Sequence, residues 1–194
     1  MEALNGPPIV ATDGRDFIHR QRVARQYQIS ARTKWRLKFC VAMHFLLFLI
    51  MILKLSSDIL DKLDIFILEI EELEIPPPVK WEYIWSFSVL YSLCALSACK
   101  TNSVFYLQIY IGGIATLGLG PALGALCYYL PDAYRFVSAE TPEEAADVPM
   151  WQGLPYSIIN LAFLLPVLQV HGFALFFSGR LLSAWKARGT KKTQ

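Results

Sequence analysis

Four long apolar stretches, separated by polar or charged segments, leave this chain few ways to fold. They run roughly over Phe39–Leu55, Tyr83–Cys99, Val104–Leu130 and Tyr156–Leu182. A helix of about 17 apolar residues is just long enough to cross a hydrocarbon core of about 30 Å. Lipid offers the backbone no hydrogen-bond partner, so a spanning segment must satisfy itself as a helix. Composition agrees: of 194 residues, 55% are hydrophobic and 18% charged, and the mean hydropathy is +0.39. That is more apolar and less charged than a soluble domain. The sequence predicts an all-α membrane protein with four transmembrane helices.

The segments between the spans differ in charge. Residues 1–38 form a basic arm with Arg15, Arg20, Arg22, Arg25, Arg32, Lys34, Arg36 and Lys38. The arm is expected to be mobile. It lacks the early apolar stretch of a cleaved signal peptide, so the first span is expected to serve as the insertion signal. Its positive charge orients that span and can rest on an anionic membrane face. After the first span comes SSDILDKLDIFILEIEELEI. Ile59, Leu63, Phe66, Ile67 and Ile70 recur at helical spacing, with Asp58, Asp61, Asp64, Glu69, Glu71, Glu72 and Glu74 as the acid. This predicts a luminal acidic amphipathic helix, Asp58–Glu74, extending the first span. Pro76, Pro77 and Pro78 end it. The expected layout is thus arm 1–38, span 39–55, acidic helix and turn 56–82, span 83–99, turn 100–103, span 104–130, loop 131–155, span 156–182 and tail 183–194. Trp81, Tyr83 and Trp85 read as an interfacial aromatic belt, and Pro166 as a kink in the fourth span.

Charge sets the orientation. Beyond the arm, Lys100 lies in the short turn, and Arg180, Lys186, Arg188, Lys191 and Lys192 lie at or beyond the end of the fourth span. The two remaining loops and their borders hold only Lys54, Lys62, Lys80 and Arg135 of the 18 basic residues. Basic residues favour the cytosolic side. Both termini and the 100–103 turn are therefore expected in the cytosol, which four spans also require. The tail ends Lys191-Lys192-Thr193-Gln194. Two lysines at those positions resemble the dilysine retrieval signal of the endoplasmic reticulum, an address read by a receptor.

Polar residues inside a span are the first candidates for chemistry. His44, Gln108, Asn160, Gln169 and His171 are the candidates here, and interhelical hydrogen bonding is the reading preferred over catalysis or transport. The third span adds Gly112, Thr116, Gly120 and Gly124, four apart, which predict a helix-packing face for close approach of another backbone, in this chain or a second copy. Cys40, Cys94, Cys99 and Cys127 read as free thiols. The residues show no ligand spacing for a metal, no nucleophile–base pair, no cofactor loop and no nucleic-acid module. The expectation is a non-enzymatic protein without a cofactor. A small multi-pass transporter or channel subunit is the alternative.

The block KLSSDILDKLDIFILEIEELEIPPPVKWEYIW at 54–85 resembles the Jagunal family, four-span proteins of the endoplasmic reticulum in animals. TDGRDFIHRQRVARQYQIS at 12–30, QVHGFALFF at 169–177 and AWKARGTKK at 184–192 resemble it too. The resemblance implies a role in organising the endoplasmic reticulum and in vesicle-mediated transport in the early secretory pathway. It implies that Lys191 and Lys192 engage the coatomer coat. Membrane lipid and a luminal or in-membrane protein are the other partners expected.

Overall fold

The computed structural model describes residues 15–141 and 146–189. The described residues are mostly helical, with one small hairpin. Helix α1 spans Arg15–Lys62, α2 Leu68–Glu71, α3 Lys80–Ser86, α4 Val89–Thr101, α5 Val104–Gly113, α6 Gly120–Ser138 and α7 Tyr156–Gly189. A π-helical stretch, Ile114–Leu119, joins α5 to α6. Strands β1 (Met150–Trp151) and β2 (Leu154–Pro155) pair antiparallel. Their two-residue turn has positive φ at both Gln152 (49°) and Gly153 (76°), the backbone that matches the twist of a tight hairpin.

Three continuous helical stretches are long and apolar enough to cross a membrane: Arg20–Lys62, Val104–Ser138 and Tyr156–Lys186. The fourth apolar stretch is divided into α3 and α4, of 7 and 13 residues. Phe87 and Ser88 join them in right-handed backbone, with tightened bonds from Ser88 N–H to the Trp85 carbonyl (2.9 Å) and from Tyr91 N–H to the Ser88 carbonyl (3.1 Å). Large apolar side chains face outward along the bundle. Leu49, Leu53, Leu90, Phe105, Leu165 and Phe176 are all exposed. A surface so apolar fits a lipid surround.

The described part of the basic arm is not mobile coil. From Arg15 it is the beginning of α1, because nothing between Arg15 and Lys62 breaks a helix: the 48 residues contain neither glycine nor proline. Its last turns before the first span are also held by packing. Trp185 of α7 donates its indole N–H to Ser30 Oγ at 3.2 Å, and Leu37 is fully buried.

The acidic helix is shorter than the stripe suggests. α1 does extend past the first span, but it ends at Lys62. Asp64 takes left-handed backbone (φ 54°) and a separate turn of helix, α2, follows. The stripe therefore splits, and Leu63 and Phe66 stand exposed at 62% and 75%. The 131–155 loop is also more ordered than its polarity implies. α6 continues through Pro131 to Ser138, and the β1–β2 hairpin fills part of the remainder.

α4 runs through Lys100 and Thr101, so only Asn102 and Ser103 separate it from α5. Asn102 ends α4 in left-handed backbone (φ 55°), which a short polar side chain tolerates. Ser103 then caps α5 by accepting from Tyr106 N–H. Lys34 of α1 donates to Asn102 Oδ1 and ties this turn to the first helix.

Candidate functional site: a polar layer across the bundle

Two apolar clusters hold the helices together, one above the other. The first gathers Leu37 and Val41 of α1, Ala95 and Cys99 of α4, Leu107 and Tyr110 of α5, and Ala174 and Leu181 of α7. The second gathers Leu47, Met51 and Leu55 of α1, Trp85 of α3, Ala122 and Ala125 of α6, and Leu164 and Val167 of α7. Between the two clusters lie short helical stretches, and those of α1, α3–α4 and α7 carry buried polar groups. They are His44 on α1, Ser88 and Ser92 at and after the α3–α4 joint, and His171 on α7. All four are at most 1% exposed.

The hydrogen bonds follow from the helical spacing. Ser88 and Ser92 are four residues apart, so both face α1. His44 lies between them, with Nε2 3.1 Å from Ser88 Oγ and Nδ1 3.0 Å from Ser92 Oγ. A neutral imidazole has one donor and one acceptor, and two hydroxyls satisfy both. His171 is held differently. Trp85 donates its indole N–H to His171 Nε2 at 3.0 Å. Nε2 is therefore the lone-pair nitrogen and the ring proton sits on Nδ1. That Nδ1 is buried without a partner. The two imidazoles meet edge to face, with centroids 4.7 Å apart.

Gly118 makes room for this arrangement. A Cβ there would lie 3.1 Å from His171 Nε2 and 3.3 Å from its Cδ2. Gly118 sits within the π-helical stretch, so the third long helix changes its winding at the level where the histidine ring presses on it. Such single π turns are frequent where a helix adapts to a special contact.

Below the layer, charge ties α1 to α3. Lys54 Nζ pairs with Glu82 Oε1 and sits 5.4 Å from the Tyr156 ring centroid. Glu82 is fully buried. One turn further on, Tyr83 donates its hydroxyl proton to Asp58, and Lys62 donates to the same carboxylate at 2.6 Å. The loops then close over this end. Trp151 Nε1 and Gln152 Nε2 both donate to the Leu73 carbonyl, at 3.0 and 3.2 Å.

Of the polar residues singled out in the spans, the structure brings two together, His44 and His171. Gln108 and Gln169 face outward, and Asn160 turns back to donate to the Tyr156 carbonyl of its own helix at 2.8 Å. No polar path therefore leaves the histidine layer through Gln108 or Asn160. Trp81 and Trp85 are buried, at 9% and 0% exposure, and are not interfacial belt residues. Their indoles donate inward, to Tyr129 and His171. Ser88 and Ser92 escaped notice because serine in an apolar run reads as one more small residue. The signal was Trp85, Ser88 and Ser92 at i, i+3 and i+7 on one helical face.

Gly112, Thr116, Gly120 and Gly124 all face outward, and a Cβ at Gly112 or Gly124 would meet nothing within 4 Å. Within the chain, the close approaches belong to their neighbours Gly113 and Gly118. Among the described residues no group of three or more histidine, cysteine or acidic side chains could hold a metal. Lys191 and Lys192 lie outside the described residues.

A family model described as "Jagunal, ER re-organisation during oogenesis" matches residues 1–189. The chain is 47% identical over 197 residues to Protein jagunal of Drosophila melanogaster, covering 100% of both chains. It is 33% identical over 186 residues to Protein jagunal homolog of Caenorhabditis briggsae, covering 93% of this chain and 95% of the other. To Protein jagunal homolog 1 of Homo sapiens it is 28% identical over 196 residues, covering 95% and 94%.

Proposed function

Because the chain belongs to the Jagunal family, we propose that it is a non-enzymatic protein of the endoplasmic reticulum membrane that supports reticulum organisation and vesicle-mediated transport in the early secretory pathway. The match along residues 1–189 to a family described by endoplasmic reticulum reorganisation carries this reading. In it, α1, the α5–α6 stretch and α7 each cross the bilayer. The joined α3–α4 segment supplies a fourth crossing, its shorter pieces welded by the Ser88–His44 contact. The basic ends of α1 and α7 and the 100–103 turn face the cytosol, where positive charge is retained. The acidic 56–80 segment and the β1–β2 hairpin face the lumen.

Lys191 and Lys192 then stand where the coatomer coat can bind them and return the protein from the Golgi. Changing both to alanine, with any label kept away from the C-terminus, is expected to release the protein to the Golgi or the cell surface. Unchanged reticular localisation would remove the retrieval role. Two surfaces serve protein partners in this reading. The outward stripe Gly112, Thr116, Gly120 and Gly124 admits a helix of another chain in the membrane. The exposed Leu63 and Phe66 meet a luminal partner. Leu63→Asp with Phe66→Asp should cut recovery of crosslinked partners while leaving the bundle folded, since both side chains are exposed. Equal recovery from the double variant would end that assignment.

The polar layer serves as a structural tie. Both histidines lie between apolar clusters, and each has a ring nitrogen engaged by a neighbouring helix.

A further inference from the structure

Around Arg36, the described stretches of the basic end carry no carboxylates. No Asp or Glu occurs in Phe17–Ser57, Tyr83–Pro131 or Tyr156–Gly189, the stretches that build this end. Three cations there rest on neutral groups. Lys34 donates to the Asn102 amide and lies 5.6 Å from the Trp185 ring centroid. Arg36 lies 5.7 Å from the Phe177 ring and Arg180 lies 5.7 Å from the Phe176 ring. Cation–π contacts hold such side chains in place but leave their charge uncompensated.

Arg36 also stands at the mouth of a groove of about 390 Å³ between α1 and α7. Its two walls are aromatic pairs of like geometry. Trp35 and Phe39 stack on α1 with centroids 6.1 Å apart, and Phe173 and Phe177 stack on α7 at 6.2 Å, each pair 18° from parallel. Pro166 lines the groove too, eleven residues or about 16 Å of helix from Phe177. Trp35, Phe39 and Phe173 are more than half exposed, so the walls are open along the side of the bundle. The size is that of a small-ligand site. The lining is mostly apolar, and its polar side chains are the Gln169 amide and the Arg36 guanidinium.

We infer that this groove seats one anionic glycerophospholipid, an acyl chain between the two aromatic walls and the phosphate on Arg36. The inference rests on the reading that α1 and α7 cross the bilayer. Charge complementarity selects the lipid. The Arg36 guanidinium, 5.7 Å from the Phe177 ring centroid, carries a fork of donors that matches two phosphate oxygens, and no carboxylate lies in the described stretches Phe17–Ser57 and Tyr156–Gly189 that line the groove. A zwitterionic lipid brings the same chain and phosphate, but with no net charge it gains less from an end that is already positive. The groove therefore discriminates by headgroup charge and not by chain.

The full chain reconstituted in phosphatidylcholine vesicles with spin-labelled phosphatidylserine or spin-labelled phosphatidylcholine gives the test. The fraction of each label immobilised by the protein is read from the spectrum. Phosphatidylserine should be immobilised preferentially. Arg36→Gln should lower that preference about fivefold, the worth of one interfacial cation, with a smaller loss for phosphatidylcholine. Phe173→Ala should reduce immobilisation of both lipids by removing a wall. Arg25→Gln, on the same helix but outside the groove, should have a much smaller effect. Equal immobilisation of the two lipids by the wild type overturns the inference. So does an Arg25→Gln effect as large as that of Arg36→Gln, which would mean diffuse surface attraction. Resistance of the same samples to alkaline extraction separates the two ideas. An extractable protein sinks the membrane reading itself, whereas an inserted protein without lipid preference sinks only the groove.

Discussion

Gly112 and Gly113 are neighbours in α5 with opposite surroundings, and exchanging each for alanine tests which face of the third long helix is packed. A Cβ at Gly112 meets nothing within 4 Å, whereas one at Gly113 would lie 2.2 Å from Cγ and Cδ1 of the Tyr91 ring of α4. Tyr91 cannot accommodate it by moving a flexible tip, because the clash reaches the root of the ring at Cγ. The ring must shift as a whole within the α4–α5 hairpin. Overpacking of this kind costs about 1–3 kcal/mol. Replacing glycine within a helix by alanine returns about 1 kcal/mol at either position. Gly112→Ala should thus be neutral or stabilising by up to about 1 kcal/mol, and Gly113→Ala destabilising by up to about 2 kcal/mol. For a chain of this length each kcal/mol moves the melting temperature by about 2–4 °C. A thiol-reactive fluorescent dye can follow thermal unfolding in detergent, because Cys40 and Cys99 are buried. Cys127 is exposed and would first be changed to serine. The Tyr91→Ala variant should make Gly113→Ala tolerable, as expected when two residues share one contact. If Gly112→Ala destabilises more than Gly113→Ala, the helix is rotated relative to this description. The face marked by the four-residue repeat would then be the one buried inside the chain.

Two further predictions concern the buried polar groups. Lys54→Met leaves the Glu82 carboxylate buried without its cation and should cost about 3 kcal/mol, while Lys54→Met with Glu82→Leu should recover much of that stability in the same assay. A single Lys54→Met variant as stable as the wild type would show that the pair is not buried as described. In the polar layer, Ser88→Ala and Ser92→Ala each strand one nitrogen of His44 and should each destabilise by about 1 kcal/mol. His44→Phe in place of the wild-type histidine should make both serine changes nearly neutral, and full additivity would count against the shared site.

The sequence made the spans legible because lipid leaves the backbone a single solution, and the apolar runs mark where it applies. Packing faces were harder to read. Gly112, Thr116, Gly120 and Gly124 form a cleaner repeat than Gly113 and Gly118, yet the latter two make the close contacts. A repeat records which residues share a face. It does not record whether that face meets protein or lipid, since both are apolar. The acidic segment misled for a different reason. Its stripe has helical spacing, but Asp64 turns left-handed and ends the helix, and helical spacing alone does not reveal a stop. His44 and His171 were visible as polar residues in apolar runs. Their partners were not, because Ser88, Ser92 and the Trp85 indole are ordinary in such company.

Helix α1 has one more property, mechanical in kind. At 48 residues it is about 70 Å long, well over the 40–45 Å of a whole bilayer, and it contains no glycine or proline where it could bend. It is a strut without a joint. A sideways pull on its basic end would tilt the far end in the opposite sense, about a fulcrum where the bundle grips it. The charged ties at Lys54 and Asp58 lie on that far arm. In the membrane reading proposed above, a force applied on one side is delivered as a displacement on the other, with no glycine or proline hinge in between to absorb it.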